Sequence, residues 1–197
     1  MHHVKNDKRS ISSAQYIYKA LAELLKHQSY DTISVSQLCE CANVSRATFY
    51  RNFDIVEDVL IWYGENLLRR LSREYFTNIK LQENIRFNRF AMMCGLHEAD
   101  YIEMLTNAHK LHLLQNMLFK LLDNVPLNVD QSVPNPYLKY ALGAKIGAFF
   151  GVISCWITTG KKESLHSLMG KLDEIDEIAK DLTIDRRYLE KSRLPIR

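Results

Sequence analysis

The chain has 197 residues, 47% hydrophobic and 25% charged, with a formal net charge of +3; this suits one large or two small globular domains and excludes a fibrous or tail-like protein. The charge is unevenly spread, with seven Lys/Arg against four Asp/Glu in residues 1–53, fourteen against eighteen in 54–185, and five against one in 186–197. Basic ends around an acidic middle fit a polyanion-binding module joined to a different kind of domain.

Seven glycines and four prolines, with apolar residues recurring at three and four positions, predict an all-α fold. The first helix, over 12–27, puts Ala14, Ile17, Leu21 and Leu24 on one stripe. Ser34 or Ser36 caps a second, whose inward face is Val35, Leu38, Cys39 and Ala42. A third helix runs over 46–52. The fourth, over 55–77, carries Val59, Trp62, Tyr63, Leu67 and Leu71 inward and links the two halves of the chain. Further helical patterns cover 84–96, 99–108 and 111–122, and three prolines mark 124–136 as a loop. Two last helices follow: a strongly apolar one over 137–159, and an amphipathic one over 163–182 through Leu165, Leu168, Met169, Leu172, Ile175 and Ile178.

The segment from Ile33 to Phe53, ISVSQLCECANVSRATFYRNF, reads as two short helices joined by a tight turn. Asn43 sits where the turn needs a left-handed backbone, and Val44 plugs the angle between the helices. Ser45 caps the third helix, leaving free N–H groups suited to a phosphate. With Phe49 and Phe53 turned inward, Arg46, Ala47, Tyr50 and Arg51 form an outward face that can enter a major groove. Arg46 and Arg51 suit guanine, Ala47 a thymine methyl, and Thr48 and Tyr50 the phosphates. Ser34 and Ser36 complete the DNA-binding candidates.

This segment resembles the TetR family of bacterial regulators, whose signature ends in T-[LF]-Y-x-[YH]-F, here Thr48, Phe49, Tyr50, Arg51, Asn52 and Phe53. Besides Asn52 at the signature's [YH] position, two residues depart from the family pattern: Asn43 replaces the common turn glycine, and Val56 the common lysine that opens the fourth helix, so one phosphate contact is not carried over. The resemblance covers about the first third of the chain. It implies a homodimer on double-stranded operator DNA, repression of nearby genes, and control by the C-terminal domain. A looser similarity lies in Trp156–Gly160, placed as in a family C-terminal domain.

The expected architecture is therefore an N-terminal three-helix helix-turn-helix domain, residues 1–53, and a C-terminal helical bundle for ligand sensing and dimerisation, residues 54–197. Trp62, Tyr63, Phe90, Met93, Tyr101, Met104, Met117, Phe119 and Trp156 are the candidate lining of a cavity for an apolar or aromatic inducer, although a packed core needs the same residues at the same spacing. Gly143, Gly147 and Gly151 form a stripe on the apolar helix. With Leu168, Leu172 and Ile175 they are the candidate dimer interface. The charge-free run 146–159 is shorter than a membrane span, so no membrane partner is expected.

Cys94, His97, His109 and His112 pair up on helical faces, but no carboxylate or second cysteine completes a ligand set, and neither metal nor cofactor is expected. The four cysteines, of which Cys39 reads as core and Cys41 as exposed, contain no C-x-x-C pair. Together with the polar first thirteen residues this points to the cytoplasm, at the nucleoid. No nucleophile and base, paired carboxylates or phosphate loop stand at a usable spacing, so the expectation is a regulator and not an enzyme. The default is a repressor released by a small molecule. The alternative is an activator or organiser of the same fold that works through a protein partner.

Overall fold

A computed structural model describes residues 1–78, 99–122 and 135–180. The expected helix over 84–96, the basic tail at 186–197, and Phe90, Met93, Cys94 and His97 lie outside them. Among the described residues the regular structure is helical, apart from an isolated bridge between His2 and Phe53.

Helix α1, Lys8–Leu24, starts four residues earlier than the apolar pattern indicates. The Asp7 carboxylate caps it, accepting from the Ser10 N–H at 2.9 Å. Its polar first turn is held by this cap and not by burial. Farther along, Ala14, Ile17 and Leu21 are fully buried, as their spacing requires. Helices α2, Val35–Cys41, and α3, Arg46–Asn52, pack on α1 and on each other. Helix α4, Val56–Asn78, then carries the chain away from this head.

The hydrophobic core runs unbroken from the head into the rest of the molecule. Phe53, at the end of α3, meets Trp62 of α4 with ring centroids 6.1 Å apart, edge to face. Tyr18 of α1 stacks on Tyr63 of α4 at 3.7 Å and 3°. Trp62 and Tyr63 thus join the head to α4, and Tyr63 also meets the ring of Tyr101 in the second half, with centroids 5.1 Å apart. Helices α5, Ala99–Asn107, and α6, Leu111–Leu122, cover the other side of α4. Between α5 and α6, Lys110 pairs with Glu57 at 2.6 Å and lies over the Tyr30 ring, 4.9 Å from its centroid, tying α4 and the head to this layer.

Gly64 marks the closest approach. A Cβ placed there would stand 2.4 Å from the Tyr101 hydroxyl and 2.5 Å from Met117 Cε. That hydroxyl is fixed by its bond to the Leu60 carbonyl oxygen at 2.7 Å, so it cannot step aside freely. Alanine would gain about 1 kcal/mol in helix propensity, but overpacking costs about 1 to 3 kcal/mol. Gly64→Ala is therefore expected to lower the stability of the chain by roughly 1 kcal/mol in a urea titration; a more stable variant would show that Met117 and Tyr101 repack without strain.

Helix α7, Asn135–Thr158, begins at the last two residues of the expected loop. Its stretch Lys139–Thr158 is long and apolar enough to cross a membrane by length and composition alone. Lys145, however, is ion-paired with Asp176, and Ile146, Phe149, Phe150, Ile153 and Trp156 are buried in the core. The expected last helix is in fact two, α8 at Leu165–Gly170 and α9 at Leu172–Lys180. Gly170 ends the first, and Lys171 leaves helical geometry at φ −102° and ψ 6°. The apolar spacing continues across this break because Leu168, Met169 and Leu172 are all buried.

Candidate nucleic-acid interface

The turn between α2 and α3 follows from local chemistry. Asn43 takes φ 51°, the left-handed conformation its short polar side chain tolerates. The Val44 N–H then bonds the Cys39 carbonyl oxygen at 2.9 Å, closing α2. Ser34 is the N-cap of α2, and its hydroxyl accepts from the Gln37 N–H at 3.2 Å. Ser45 is the N-cap of α3, and its hydroxyl accepts from the Thr48 N–H at 3.1 Å. Phe49 and Phe53 are fully buried, with ring centroids 5.7 Å apart, and hold α3 against the head.

What remains outward is the face the spacing implies. Arg46, Ala47, Tyr50 and Arg51 are exposed, and Tyr50 stands edge-on to Phe49 at 5.4 Å. At about 100° per residue, Ala47 lies near the centre of this face, Arg46 and Tyr50 on one flank, Thr48 and Arg51 on the other. The Arg46 guanidinium donates to the Ser36 hydroxyl, so this flank is continuous with the start of α2. The Arg51 guanidinium donates to Thr48 Oγ1 at 3.2 Å. No carboxylate belongs to α3, so its outward charge is wholly positive.

The second flank borders residues that apolar spacing did not single out. Lys5, just before α1, and Arg9 and Ser10, in its first turn, line with Thr48 and Arg51 a cleft of about 360 Å³. Asn52, almost fully buried, joins the two sides: it accepts from the Ser10 hydroxyl at 2.6 Å and donates to the Thr48 carbonyl oxygen at 2.8 Å. His3 N–H adds a bond to the Asn52 carbonyl oxygen at 2.7 Å. The uneven charge of the first residues was the one sequence signal for this edge.

The other candidates divide. Tyr101, Met104, Met117 and Trp156 are buried, and Trp156 donates to the Glu163 carbonyl oxygen at 2.8 Å. Phe119 is half-buried and lies beside Gly143, 3.8 Å from where a Cβ would stand. Gly147 and Gly151 face open space. Leu168 and Leu172 turn into the chain's own core, and Ile175 is half-buried; an amphipathic stripe on a terminal helix serves its own protomer first. Burial pushes the Cys39 thiol above its usual range, whereas Cys41 is exposed. His109 and His112 are both exposed, and no group of three metal-ligating side chains occurs among the described residues.

Several comparisons bear on this geometry. The model of the bacterial regulatory proteins of the tetR family matches residues 17–59, from within α1 to the start of α4. Over 61 residues the chain is 39% identical to the HTH-type dhaKLM operon transcriptional activator DhaS of Lactococcus lactis subsp. lactis (strain IL1403), a match that takes in 31% of this chain and 33% of that protein. The chain thus spans about a third of the length of this curated relative. Two solved structures share its fold. Lin0861 from Listeria innocua superposes with a TM-score of 0.66 at 19% identity, over 90% of this chain and 97% of that one. A TetR transcriptional regulator from Streptococcus agalactiae 2603V gives 0.51 at 22%, over 81% and 90%. The helix-turn-helix is thus matched in sequence to the tetR family of bacterial regulatory proteins over residues 17–59, and the helical second half is matched in fold.

Proposed function

We propose that this chain is a sequence-specific DNA-binding transcriptional regulator that acts as a homodimer, with residues 1–53 reading DNA and 54–197 controlling and dimerising. One observation carries the reading: α3 presents Arg46, Ala47, Tyr50 and Arg51 outward on a buried aromatic base, with no carboxylate of its own. In a major groove, Ala47 sits deepest and the two arginines reach guanine edges on either side of it. Ser34, Ser36, Ser45, Thr48 and Tyr50 meet the flanking phosphates, which fix register without reading sequence.

The experiment is selection of duplexes from a random pool by the purified full chain, followed by anisotropy titration at several salt concentrations. Tight, sequence-dependent binding with a steep salt slope is expected. Arg51→Ala is expected to weaken binding to the selected duplex by roughly 1 to 3 kcal/mol and to relax its sequence preference at one position. An unchanged affinity removes Arg51 from the reading face, and failure to select any duplex overturns the reading as a whole.

On control, two readings separate. A repressor released by a small apolar ligand needs space among Tyr101, Met104, Met117 and Trp156. Activation through a protein partner does not, and two observations favour it: the Tyr101 hydroxyl and Gly64 are committed to internal packing, and the relative DhaS bears the name of an operon activator. Either signal would reach the head through the Tyr18–Tyr63 stack and the Lys110–Glu57 pair. Transcription in vitro from a promoter carrying the selected duplex discriminates: stimulation supports the activator, occlusion the repressor.

A further inference from the structure

We infer that the cleft between the start of α1 and the second flank of α3 holds the DNA backbone, with Lys5 and Arg9 as phosphate-binding residues. This rests on the proposed reading of DNA by α3. A helix lying in a major groove has a phosphate strand on each side. The Arg46 flank, continuous with α2 through Ser36, faces one strand. On the other side, Thr48 and Arg51 open directly into the cleft, whose far wall is Lys5 and Arg9.

Three cations line this space, and the only carboxylate among its lining residues is Asp7, which is engaged in capping α1 through the Ser10 N–H. Lys5 and Arg9 have exposed side chains with no ion-pair partner among the described residues. The cleft wall is also fixed. The Ser10 hydroxyl bridges the Lys5 N–H, at 3.1 Å, and the buried Asn52 side chain, at 2.6 Å, so the approach to α1 moves as one body with α3. A strand seated there is gripped between two helices, and the register of α3 in the groove is set from both sides.

The test uses the full chain and a duplex it selects from a random pool, with affinity measured across salt concentrations. Removing a side chain that neutralises one phosphate lowers the log–log salt slope by about 0.9. Lys5→Ala and Arg9→Ala are each expected to show that decrease and the double variant about 1.8, with base preference unchanged. Lys19→Ala, on α1 but outside the cleft, leaves the slope as it was. Asp7→Asn keeps a cap acceptor, removes the carboxylate and tightens binding. Wild-type slopes in Lys5→Ala and Arg9→Ala, with the wild-type chain still binding its duplex, overturn the inference and leave the reading of DNA by α3 standing. A wild-type chain that binds no duplex overturns both. Thermal stabilisation by inorganic phosphate that Arg9→Ala abolishes, with the DNA slope unmoved, assigns the cleft to a free anion instead.

Discussion

A Gly147→Glu protein is expected to elute as a monomer, by light scattering, and to bind its selected duplex roughly a hundredfold more weakly than the parent chain, because the avidity of two linked reading heads is lost. The argument starts from the exposed face of α7. Tyr137, Tyr140, Ala144, Gly147, Ala148 and Gly151 are exposed at helical spacing, a run of small and aromatic residues with no charge among them. Small side chains let a second helix approach closely, and in a two-fold dimer the same face meets itself. Within the protomer Gly147 has nothing within 4 Å of the position its Cβ would take, so the new side chain meets no resistance there, and a helical glutamate is better tolerated than glycine. Across the symmetry axis each dimer would instead bury two like charges without a partner, at a cost of several kcal/mol. Far-UV circular dichroism and the urea midpoint of the monomer should therefore match the parent chain measured below its dissociation concentration. A variant that stays dimeric with undiminished affinity moves the interface away from this face.

The parts of this molecule legible in its sequence are those whose cause is local. The turn at Asn43 and the caps at Ser34 and Ser45 are decided by residues within five positions of one another, and α3 has the expected bounds. Where the cause is distant, the pattern misleads. The first turn of α1 is polar and held by Asp7, so apolar periodicity begins too late to include it; with it went Lys5 and Arg9, which reach the α3 flank only because Ser10 and Asn52 bond across 42 positions. Leu168 and Leu172 have the spacing of an interface stripe, but the same spacing serves a helix packed on its own protomer, and the break at Lys171 is invisible to it. Trp62 and Tyr63 read equally well as cavity lining or core, and only their distant ring partners, Phe53 for Trp62 and both Tyr18 and Tyr101 for Tyr63, show that they stand between the head and the second half.

Phe49→Ala should lower the unfolding free energy by roughly 3 to 5 kcal/mol, the usual cost of emptying a fully buried aromatic site. Phe49 has no exposed surface, and its ring contacts Phe53 and Tyr50 at 5.7 and 5.4 Å. Phe53 in turn packs on Trp62. The cavity therefore opens at the point where the base of α3, the head and α4 share one core. Because that core is continuous across residues 53 and 54, the loss should displace a single cooperative urea transition of the whole chain. Two transitions, with only the weaker one moved, would instead make the head an independently folding unit bounded near residue 53. The contrast with Arg51→Ala separates scaffold from reader. Arg51 is exposed and, among the described residues, bonded only to Thr48, so its removal should change affinity for DNA while leaving the urea midpoint within about 0.5 kcal/mol of the parent. Phe49→Ala should do the reverse where the folded state is still populated, weakening DNA binding only as far as α3 shifts on its damaged base.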